Sequence, residues 1–480
     1  MISINELAAS LTGRLINPSD SILTSLEYDS RLVKKDSCFF AFDGIHCNGY
    51  DFIDDAIKSG ATMVVANKCP ETIHDNVSYL ISDESIRLLY AKASSLFFSN
   101  PQAKLKIIGV TGTDGKTSTT DYTYQLLNSF GHKTALLSTV YVDDGSGKAF
   151  SKTRQSTPEA FYIYSFLDRC VKNNVEYVVM ETTSHALSKE YCRVYGINFI
   201  SSIYTSVSSE HLEFHKTLES YYDAKTNLAR NTLSNIFIYN DCPLLDKIRN
   251  AAKHRVIELT KPTITKRTIS STSFIYNDRE YDVPLFGQYN INNLYEAAML
   301  TARVIKVPVE LVLSKCNTIK PVEGRFNVIN ALNHLVIIDF AHTPDSYEQL
   351  FSSFRSVDKD SPITAVFGSA GDRDKSKRKG LGIVSSKYAN TIILTEEDPR
   401  SESVIDISLD ILEGVNKNKV HIYTEEKREA AIRLAFETAK PNSVIFLLGK
   451  GHESSISYKD YSRPYLERQA LLDVVKELSW

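Results

Sequence analysis

Short runs of apolar residues alternate along this chain with stretches in which apolar residues recur at helical spacing. Near the N-terminus the apolar runs "CFFAFDG" and "ATMVVAN" flank the helical stretch "GYDFIDDAIKSG". Further runs follow at "LKIIGV", "KTALLSTV", "EYVVMETTS", "FISSIYTSV" and "NIFIYN". A third series lies nearer the C-terminus, at "HLVIIDFAH", "ITAVFGSAG", "NTIILTEEDP" and "NSVIFLLGKG". Strands that alternate with helices in this way predict an α/β fold with mostly parallel sheets.

Two turn-rich stretches divide this pattern. In "FFSNPQAKLK" the pair Asn100-Pro101 is a turn signal, and "KPVEGRFNVIN" carries Pro321 and Gly324. We therefore predict three domains, at residues 1–101, 102–324 and 325–480. The Ser/Thr-rich stretch 267–288 predicts a hairpin, and a helix is predicted over residues 292–304.

Composition narrows the class of protein. The chain has 480 residues, of which 42% are hydrophobic and 24% charged, with a formal net charge of -3. No basic block favours nucleic acid as a partner, and no apolar run is long enough for a membrane span. The start "MISINELAASLTGRL" lacks the layout of a signal peptide. The seven cysteines are scattered without a C-x-x-C pair. We expect a soluble cytoplasmic protein with reduced thiols.

The stretch "VTGTDGKTSTT" resembles a phosphate-binding loop with the wrong spacing. The usual pattern is Gly, four residues, then Gly-Lys-Ser/Thr. Here only Thr113 and Asp114 separate Gly112 from Gly115-Lys116-Thr117, and Val110 stands where the first glycine is expected. A strand that enters a glycine turn and then a helix places N–H groups where phosphate binds. Lys116 then reaches the outer phosphates, and the Thr117 hydroxyl suits Mg²⁺; the simpler alternative is a tight strand-to-helix turn.

Other charged residues are ambiguous when each is taken alone. Glu181 directly follows an apolar strand, at the sheet edge where ligands bind, and either holds Mg²⁺ or is a solvated carboxylate. His211 and His215 lie one helical turn apart, but the zinc-protease order H-E-x-x-H is absent. Each histidine alone is more simply a packed or capping residue, and Lys225 alone a solvated lysine.

Four strand ends in the last third of the chain carry polar clusters. One has Asp339 and His342, and a second is the basic stretch "GDRDKSKRKG". The other two are "EEDPR" and "GKGHE". Since strand ends of open α/β sheets bind ligands, this domain is predicted to hold a polar, charged ligand.

Together these stretches resemble the Mur ligase family, and most closely its tripeptide synthetases (MurE type). The matching motifs follow family order over nearly the whole chain: "YDSRLVKKDSCFFAFDGIHCNGYDF", the short loop, "STPEAF", "ETTSHAL", "EHLEFHKTLESYYDAKTNL", "GQYNINN", "EGRFN", "DFAHTPDS", "FGSAGDRDKSKR", "EDPR" and "GKGHE". The resemblance implies an N-terminal UDP-binding α/β domain, a central P-loop ATPase-like domain with a parallel sheet, and a C-terminal Rossmann-like domain.

The resemblance also implies roles for particular residues. Catalytic roles fall to Lys116, Glu181, His211 and Lys225. ATP would be bound by Gly112, Thr113, Asp114, Gly115, Lys116, Thr117, Ser118, Asn290, Asn293, Arg325, Asp339 and His342. Among the substrate-binding residues, Ser30, Gly44, His46 and Asn48 would bind UDP, and Ser156, Thr157, Ser184 and Arg193 the muramoyl-dipeptide. The remaining substrate-binding residues would be Asp398, Arg400, Gly449 and Glu453. Two Mg²⁺ ions would be held by Thr117, Glu181, His211 and Lys225, the last modified by CO₂ to a carbamate.

The implied reaction is amide formation driven by ATP. ATP would phosphorylate the γ-carboxylate of D-glutamate in UDP-N-acetylmuramoyl-L-alanyl-D-glutamate, and the amine of a diamino acid would displace the phosphate. The implied protein is a monomer in cytoplasmic peptidoglycan precursor synthesis, with no nucleic acid or membrane partner.

The identity of the diamino acid rests on one motif. Members that add diaminopimelate usually carry Asp-Asn-Pro-Arg where this chain has Glu397-Asp398-Pro399-Arg400. Arg400 could pair with the distal carboxylate of meso-diaminopimelate, which slightly favours that amino acid. Asp398 adds a negative charge, which would suit L-lysine or L-ornithine. Thr183-Ser184 in place of Ser-Ser, and two extra residues before Arg193, are smaller departures from the family pattern.

Three alternatives remain at this level. A folylpolyglutamate-synthetase-like ligase also uses a short phosphate loop, but it lacks the N-terminal UDP segment and the "EDPR" cluster. A P-loop switch or motor NTPase would leave the C-terminal clusters unexplained. A catalytically inactive binding homologue is disfavoured because Lys116, Glu181, His211 and Lys225 are all present.

Overall fold

The computed structural model describes residues 2–479 except Asp43, Ile45, His46, Arg154 and 209–211, and only the backbone of Leu212, Glu213 and Lys253. The chain divides into two compact units. The first comprises residues 1–260 with 296–307, and the second comprises residues 261–295 with 308–480.

The N-terminal part of the first unit is an α/β layer. Its strands are β1 (Ile2–Ser3), β2 (Arg14–Ile16), β3 (Ile22–Leu23), β4 (Ser25–Glu27), β5 (Ser37–Phe40), β6 (Ala61–Ala66) and β7 (Ser78–Ile81), and its helices are α1 (Ile4–Ala9), α2 (Ile53–Lys58) and α3 (Ile86–Phe97). Five strands form one sheet in the order β2-β7-β6-β5-β4, in which only the β2–β7 pair is antiparallel. Helix α1 begins at a capping box formed by Ser3 and Glu6.

The central part of the first unit is built on an eight-stranded sheet. Its strands are β8 (Lys106–Thr111), β9 (Thr134–Leu137), β10 (Tyr141–Asp143), β11 (Ala149–Phe150), β12 (Tyr177–Glu181), β13 (Phe199–Tyr204), β14 (Thr232–Tyr239) and β15 (Val256–Leu259). Its helices are α4 (Lys116–Ser129), α5 (Ala160–Lys172), α6 (Ser184–Leu187), α7 (Leu212–His215), α8 (Leu218–Arg230) and α9 (Leu245–Ala252).

The strand order of this sheet, β11-β10-β9-β12-β8-β13-β14-β15, sets which strand ends are neighbours. The six strands from β9 to β15 are parallel, with β10 and β11 added antiparallel at one edge. Strand β12 is buried at every position, as expected for a strand of a parallel sheet that is covered on both faces. The carboxyl ends of β12, β8 and β13 therefore meet at one edge, with β8 in the middle.

The described residues of the second unit form three sheets, of three, six and two strands. The three-stranded sheet is antiparallel and consists of β16 (Thr263–Arg267), β17 (Thr272–Tyr276) and β18 (Arg279–Val283). Helix α10 (Gly287–Ile305) follows and continues into residues of the first unit, and α11 (Val309–Leu313) comes next. The stretch 267–288, predicted as a hairpin, contains the antiparallel pair β17–β18, and β16 adds a third strand just before it. The helix predicted at 292–304 begins earlier, at Gly287, because "QYNI" extends it.

The largest sheet of the second unit has the strand order β19-β20-β24-β21-β22-β23. Its strands are β19 (Asn327–Ala331), β20 (His334–Asp339), β21 (Ile363–Phe367), β22 (Thr391–Leu394), β23 (His421–Thr424) and β24 (Val444–Leu448), followed by the hairpin of β25 (Ser455–Ser457) and β26 (Ser462–Pro464). The accompanying helices are α12 (Pro344–Arg355), α13 (Ser376–Tyr388), α14 (Val404–Leu412), α15 (Arg428–Thr438) and α16 (Glu467–Leu478). The five adjacent strands β20, β24, β21, β22 and β23 are parallel, and β19 pairs antiparallel with β20.

The predicted α/β class is confirmed, with a parallel central sheet and a Rossmann-like C-terminal sheet. The turn predicted at Asn100-Pro101 is also present, with Asn100 in the left-handed region at φ 54°. The domain boundaries at 101 and 324 stay predictions. Within the described residues, none of the helices combines the length and the apolar character needed to span a membrane.

Candidate active site

The glycine loop joins β8 directly to α4. Val110 is fully buried in β8, where it pairs with Glu181 of β12 and Ile203 of β13. Gly112 has φ 153°, and a Cβ atom there would lie 1.8 Å from the Thr205 hydroxyl. Gly115 has φ 86° and precedes the first helical residue. Val110 is therefore a strand residue, and the two glycines are required by backbone conformation and close approach.

The end of the neighbouring strand β13 holds the loop in place. The amide of Thr113 donates to the carbonyl oxygen of Ser206 at 2.7 Å, and the Thr205 hydroxyl donates to the carbonyl oxygen of Asp114 at 2.6 Å. The Thr113 side chain lies 2.8 Å from the Tyr221 hydroxyl. The loop is therefore held by the end of β13 and by Tyr221 of α8.

Two lysines meet at one carbonyl oxygen of this loop. Lys116 Nζ donates to the oxygen of Gly112 at 3.1 Å and to that of Thr113 at 2.5 Å. Lys225 Nζ donates to the same Gly112 oxygen at 2.6 Å, and its side chain is buried. The ring centroid of Tyr221 lies 4.6 Å from Lys225 Nζ. Lys225, which alone reads as a solvated lysine, is thus part of the loop's environment.

The first turn of α4 supplies the remaining loop residues. Thr117 and Ser118 are buried at the helix N-terminus, directly after Lys116. Exposed N–H groups and the helix dipole at such a terminus favour phosphate.

Glu181 ends β12 next to the loop-bearing strand, and its side chain is fully buried. The amide of Thr139 donates to Glu181 Oε1 at 2.8 Å, and the Thr139 hydroxyl donates to Oε2 at 3.0 Å. The Thr139 and Ser156 hydroxyls lie 2.7 Å apart. Thr139 was not among the predicted residues, since no motif marks it, yet it orients the carboxylate.

The residues assigned to the muramoyl-dipeptide gather around the segment after β12. The Thr157 hydroxyl donates to the carbonyl oxygen of Glu181 at 3.0 Å, and Arg193 Nη1 donates to the carbonyl oxygen of Thr157 at 3.0 Å. Arg193 also forms an ion pair with Glu159. Ser184 lies 3.0 Å from His215 Nε2. These contacts bring together near Glu181 the four residues Ser156, Thr157, Ser184 and Arg193. Arg193 is among them even though the chain has two more residues before it than the family pattern.

The N-terminal residues assigned to UDP lie in turns. Ser30 begins a short 3-10 helix, and Asn48 caps another by accepting from the Tyr50 amide at 2.9 Å. Gly44 is exposed, and its amide donates to the carbonyl oxygen of Cys47 at 2.8 Å. The predicted residues His46 and His211 lie outside the described residues.

Beside these turns is an aromatic stack that sequence reasoning missed. Tyr28 stacks on Phe42 with 5.2 Å between ring centroids. The Arg87 guanidinium lies 4.2 Å from the Phe42 ring and 4.9 Å from the Tyr191 ring. The stack thus joins the N-terminal sheet to the segment that carries Arg193.

In the second unit three motifs form one cluster around Phe340. The Arg325 guanidinium lies 4.6 Å from its ring, and the rings of His342 and His452 lie 4.8 Å and 4.9 Å from it. Burial and the nearby Arg325 charge hold the pKa of His452 well below its usual value. His452 is a further residue that the sequence did not single out.

Asp339, Asn290 and Asn293 are buried in the same unit. Asp339 accepts hydrogen bonds from the amides of Phe326 at 2.8 Å and Ala341 at 2.7 Å. Asn290 Nδ2 donates to the carbonyl oxygen of Phe286 at 2.9 Å. Asp339 thereby ties the "EGRFN" segment to the end of β20, in addition to any contact with a nucleotide.

The "EDPR" and "GKGHE" motifs are joined through Lys450. Lys450 Nζ donates to Asp398 Oδ1 at 2.9 Å and to Glu453 Oε2 at 2.5 Å. Gly449 has φ 95°, and a Cβ atom there would lie 2.5 Å from Glu397 Oε2. Arg400 Nη1 donates to the carbonyl oxygen of Gly371 at 3.1 Å. The sequence suggested that the negative charge of Asp398 was available to an ammonium group of the substrate. In the structure the Lys450 ammonium compensates that charge.

No described group of three or more His, Cys, Asp and Glu residues is arranged to hold a metal ion. Mg²⁺ needs no such group, because it retains water and binds one or two carboxylates together with substrate phosphates. The Thr117 hydroxyl and the Glu181 carboxylate are oxygen donors of the kind it prefers.

Three family models match successive parts of the chain. They are the "Mur ligase family, catalytic domain" at residues 23–108, the "Mur ligase middle domain" at 110–301, and the "Mur ligase, glutamate ligase domain" at 324–451. A UDP-N-acetylmuramyl-tripeptide synthetase of Borreliella burgdorferi is 36% identical over 99% of this chain and 98% of its own. The chain belongs to the Mur ligase family.

Other relatives agree with this membership. The UDP-N-acetylmuramoyl-L-alanyl-D-glutamate--2,6-diaminopimelate ligase of Clostridium tetani is 31% identical over 99% of this chain and 100% of its own. A solved structure of a ligase of the same name superposes with a TM-score of 0.63 over 100% of both chains at 22% identity. A folylpolyglutamate synthase of Mycobacterium tuberculosis shares the fold over 75% of this chain, with a TM-score of 0.61 and 15% identity. That likeness shows the fold alone, so the folylpolyglutamate alternative is not supported further.

Proposed function

We propose that this Mur ligase is an ATP-dependent, ADP-forming ligase that joins a diamino acid to UDP-N-acetylmuramoyl-L-alanyl-D-glutamate in peptidoglycan precursor synthesis, on which cell shape and cell division depend. The observation that carries the proposal is the convergence of Lys116 and Lys225 on the Gly112 oxygen, with Glu181 ending the adjacent strand. This arrangement suits phosphoryl transfer. The substrates are proposed from the names of the relatives.

The chemistry begins with activation of a carboxylate. An oxygen of the D-glutamate γ-carboxylate attacks the γ-phosphorus of ATP, ADP leaves, and an acyl phosphate forms. The amine nitrogen of the diamino acid then attacks the acyl carbon, inorganic phosphate leaves, and the nitrogen loses a proton. Phosphorylation is needed because an oxide ion is too poor a leaving group. Lys116 and the amides at the start of α4 offset the negative charge on the phosphates.

The proposed magnesium sites use oxygen donors. Thr117 and Glu181 would hold one ion, and His211 with carbamylated Lys225 would contribute to a second. When bound, Mg²⁺ supplies positive charge beside the transferred phosphoryl group. The chain's own contribution is to fix the donors, and Thr139 does so for both oxygens of Glu181.

Carbamylation of Lys225 fits its surroundings. Its ammonium is buried and shares one carbonyl acceptor with Lys116, so two positive charges meet there. Reaction of the amine with CO₂ would replace one of those charges with a carboxylate. This removes the repulsion between the lysines and creates an oxygen donor for a metal.

We propose meso-diaminopimelate as the third residue, with L-lysine and L-ornithine as the alternatives. Asp398 is already hydrogen-bonded to Lys450 and to the Ser457 amide. Within the described residues, the Arg400 guanidinium donates one hydrogen bond, from Nη1 to the Gly371 carbonyl oxygen. Its other two nitrogens donate to none of these residues. A planar guanidinium suits bidentate pairing with a carboxylate, which diaminopimelate has at its distal end and lysine lacks.

Further parts of the proposal concern the whole protein. We propose that the enzyme acts in the cytoplasm as a monomer, without nucleic acid or membrane partners. We also propose domains at 1–101, 102–324 and 325–480 that bind UDP, ATP and the amino acid, respectively.

A substrate-dependence assay tests the function. The purified protein receives ATP, Mg²⁺ and UDP-N-acetylmuramoyl-L-Ala-D-Glu, with each of the three amino acids in separate tubes, and phosphate and tripeptide product are measured. We expect phosphate release to need both the nucleotide peptide and one amino acid. Lys116→Met should abolish it, whereas Lys106→Met, which removes a half-exposed lysine from β8, should not. Release that is indifferent to all three amino acids contradicts the proposal.

A further inference from the structure

We infer that Lys450 is a positioning residue for selection of the incoming amino acid. Its buried ammonium group occupies the Asp398 carboxylate and orients Glu453, so Asp398 does not serve as the acceptor for a side-chain ammonium of the substrate. This inference rests on the proposed function.

The Lys450 side chain is fully buried and uses all three of its donors. It donates to Asp398 Oδ1 at 2.9 Å, to Glu453 Oε2 at 2.5 Å and to the carbonyl oxygen of Ser455 at 2.8 Å. Burial lowers the pKa of Lys450, but Glu453 and Asp398 outweigh that effect and raise it above its usual value. Lys450 is therefore a fixed cation, with no donor left for a substrate.

The backbone on both sides of Lys450 fixes where this cation lies. Gly449 and Gly451 have φ angles of 95° and 48°, in the left-handed region. A Cβ atom on Gly449 would lie 2.5 Å from Glu397 Oε2, and one on Gly451 would lie 2.8 Å from Phe340 Cβ. Both neighbours of Lys450 are therefore closely packed glycines, and the Lys450 side chain points toward the "EDPR" segment, where it meets Asp398.

Asp398 also connects Lys450 to Arg400. Its Oδ1 atom accepts from the Ser457 amide at 2.9 Å as well as from Lys450. The Arg400 amide donates to the Ser457 carbonyl oxygen at 3.0 Å, and Gly371 bridges Asp398 and Arg400 through its own amide and carbonyl. Asp398 therefore holds the segment that presents Arg400.

Replacing Lys450 and replacing Asp398 should have different effects on which amino acid is used. Asp398 and Glu453 carry two negative charges, and Lys450 cancels one of them. Lys450→Met would leave both carboxylates uncompensated, which attracts a substrate ammonium and repels a distal carboxylate. Asp398→Asn keeps an oxygen acceptor for Lys450 and the Ser457 amide, and Lys450 stays paired with Glu453, so no carboxylate is left uncompensated and the preference among amino acids should change little.

The test is a comparison of kcat/KM for meso-diaminopimelate, L-lysine and L-ornithine. We expect Lys450→Met to shift the lysine-to-diaminopimelate ratio toward lysine by roughly tenfold or more, with Lys450→Arg close to wild type. Asp398→Asn should shift the ratio by less than about twofold, and Asp398→Asn/Lys450→Met should lie between the wild type and Lys450→Met. Lys427→Met is the matched control, because it removes an exposed lysine near Glu396 in the same unit and should leave the ratio unchanged.

Two results would overturn the inference: an unchanged ratio in Lys450→Met, or a tenfold shift in Asp398→Asn alone. A thermal-unfolding cycle of the two single variants and the double variant, without substrates, tests the pair separately. We expect the double variant to lose less unfolding free energy than the two single variants lose together. If the losses simply add, the pairing is refuted. A wild type that uses none of the three amino acids refutes the proposed function and the selectivity claim with it, while the cycle still decides the pairing.

Discussion

Replacing Thr139 tests how the site holds Glu181. Thr139→Val keeps the size of the side chain and removes the hydroxyl that donates to Glu181 Oε2 at 3.0 Å, while the backbone donor to Oε1 remains. Thr139→Ser keeps the hydroxyl and loses only a methyl group, so the two variants separate hydrogen bonding from packing. The carboxylate is fully buried, which means that water cannot readily replace the lost donor.

The magnitude follows from the kind of bond. A hydrogen bond to a charged group contributes about 1.5–3 kcal/mol to the free energy of unfolding. Each kcal/mol lowers the Tm of a domain of this size by about 2–4 °C, so Thr139→Val should melt roughly 3–12 °C below wild type. Differential scanning calorimetry measures this for the transition of the first unit. The Mg²⁺ concentration for half-maximal activity should rise by about 10-fold or more, because Glu181 is a proposed ligand.

The result that would refute this reasoning is specific. If Thr139→Val and Thr139→Ser have the same Tm and the same Mg²⁺ requirement, the hydroxyl does not orient Glu181. A loss in Thr139→Ser but not in Thr139→Val would instead assign the effect to packing of the methyl group.

Three further predictions concern the loop, the buried lysine and the second unit. Gly112→Ala should weaken binding of a fluorescent ATP analogue by roughly 10- to 100-fold, because the new Cβ meets a hydroxyl at 1.8 Å, whereas Gly147→Ala, also at positive φ but in open space, should not. Lys225→Ala should lose most activity and regain part of it with added short carboxylic acids; full activity without them would exclude the carbamate. Hydrogen bonds from Arg378 outweigh burial and lower the pKa of Glu402 from 4.5 to about 2, a contribution present above pH 4.5 and lost as the pH falls toward 2. Glu402→Gln should therefore be less stable by about 1–2 kcal/mol at pH 7, after allowance for solvent screening, with the difference narrowing below pH 4.5; a difference in thermal unfolding that is constant with pH would contradict this.

The elements that the sequence predicts well are those whose signal is local. Strand β8, the loop and helix α4 lie within a residue or two of their predicted positions, because an apolar run, two glycines and a helical stretch follow one another directly. The hairpin predicted at 267–288 is present as β17 and β18, but strand β16 was not predicted, since a short, polar edge strand carries little periodicity.

The residues that the sequence could not reveal act through distant partners. Thr139 lies in an ordinary apolar run, and only the pairing of β12 with β9 brings it to Glu181. Lys450 stands inside a recognised motif, but its partner Asp398 is more than fifty positions away. Long-range pairs of this kind leave no spacing signal, which is why Asp398 was taken for an open negative charge.

The short loop is supported by a neighbouring strand. Thr205 and Ser206 at the end of β13 bind the backbone of Thr113 and Asp114, and Val110 is a residue of strand β8. In the proposed mechanism Lys116, Glu181 and Lys225, which act on the phosphoryl group, belong to the first unit, whereas Arg400 and Lys450, which would choose the amine, belong to the second. Variants of Lys450 should consequently change which amino acid is used while ATP affinity, measured without amino acid, stays the same; a parallel loss of ATP binding would show that the two tasks are not separable.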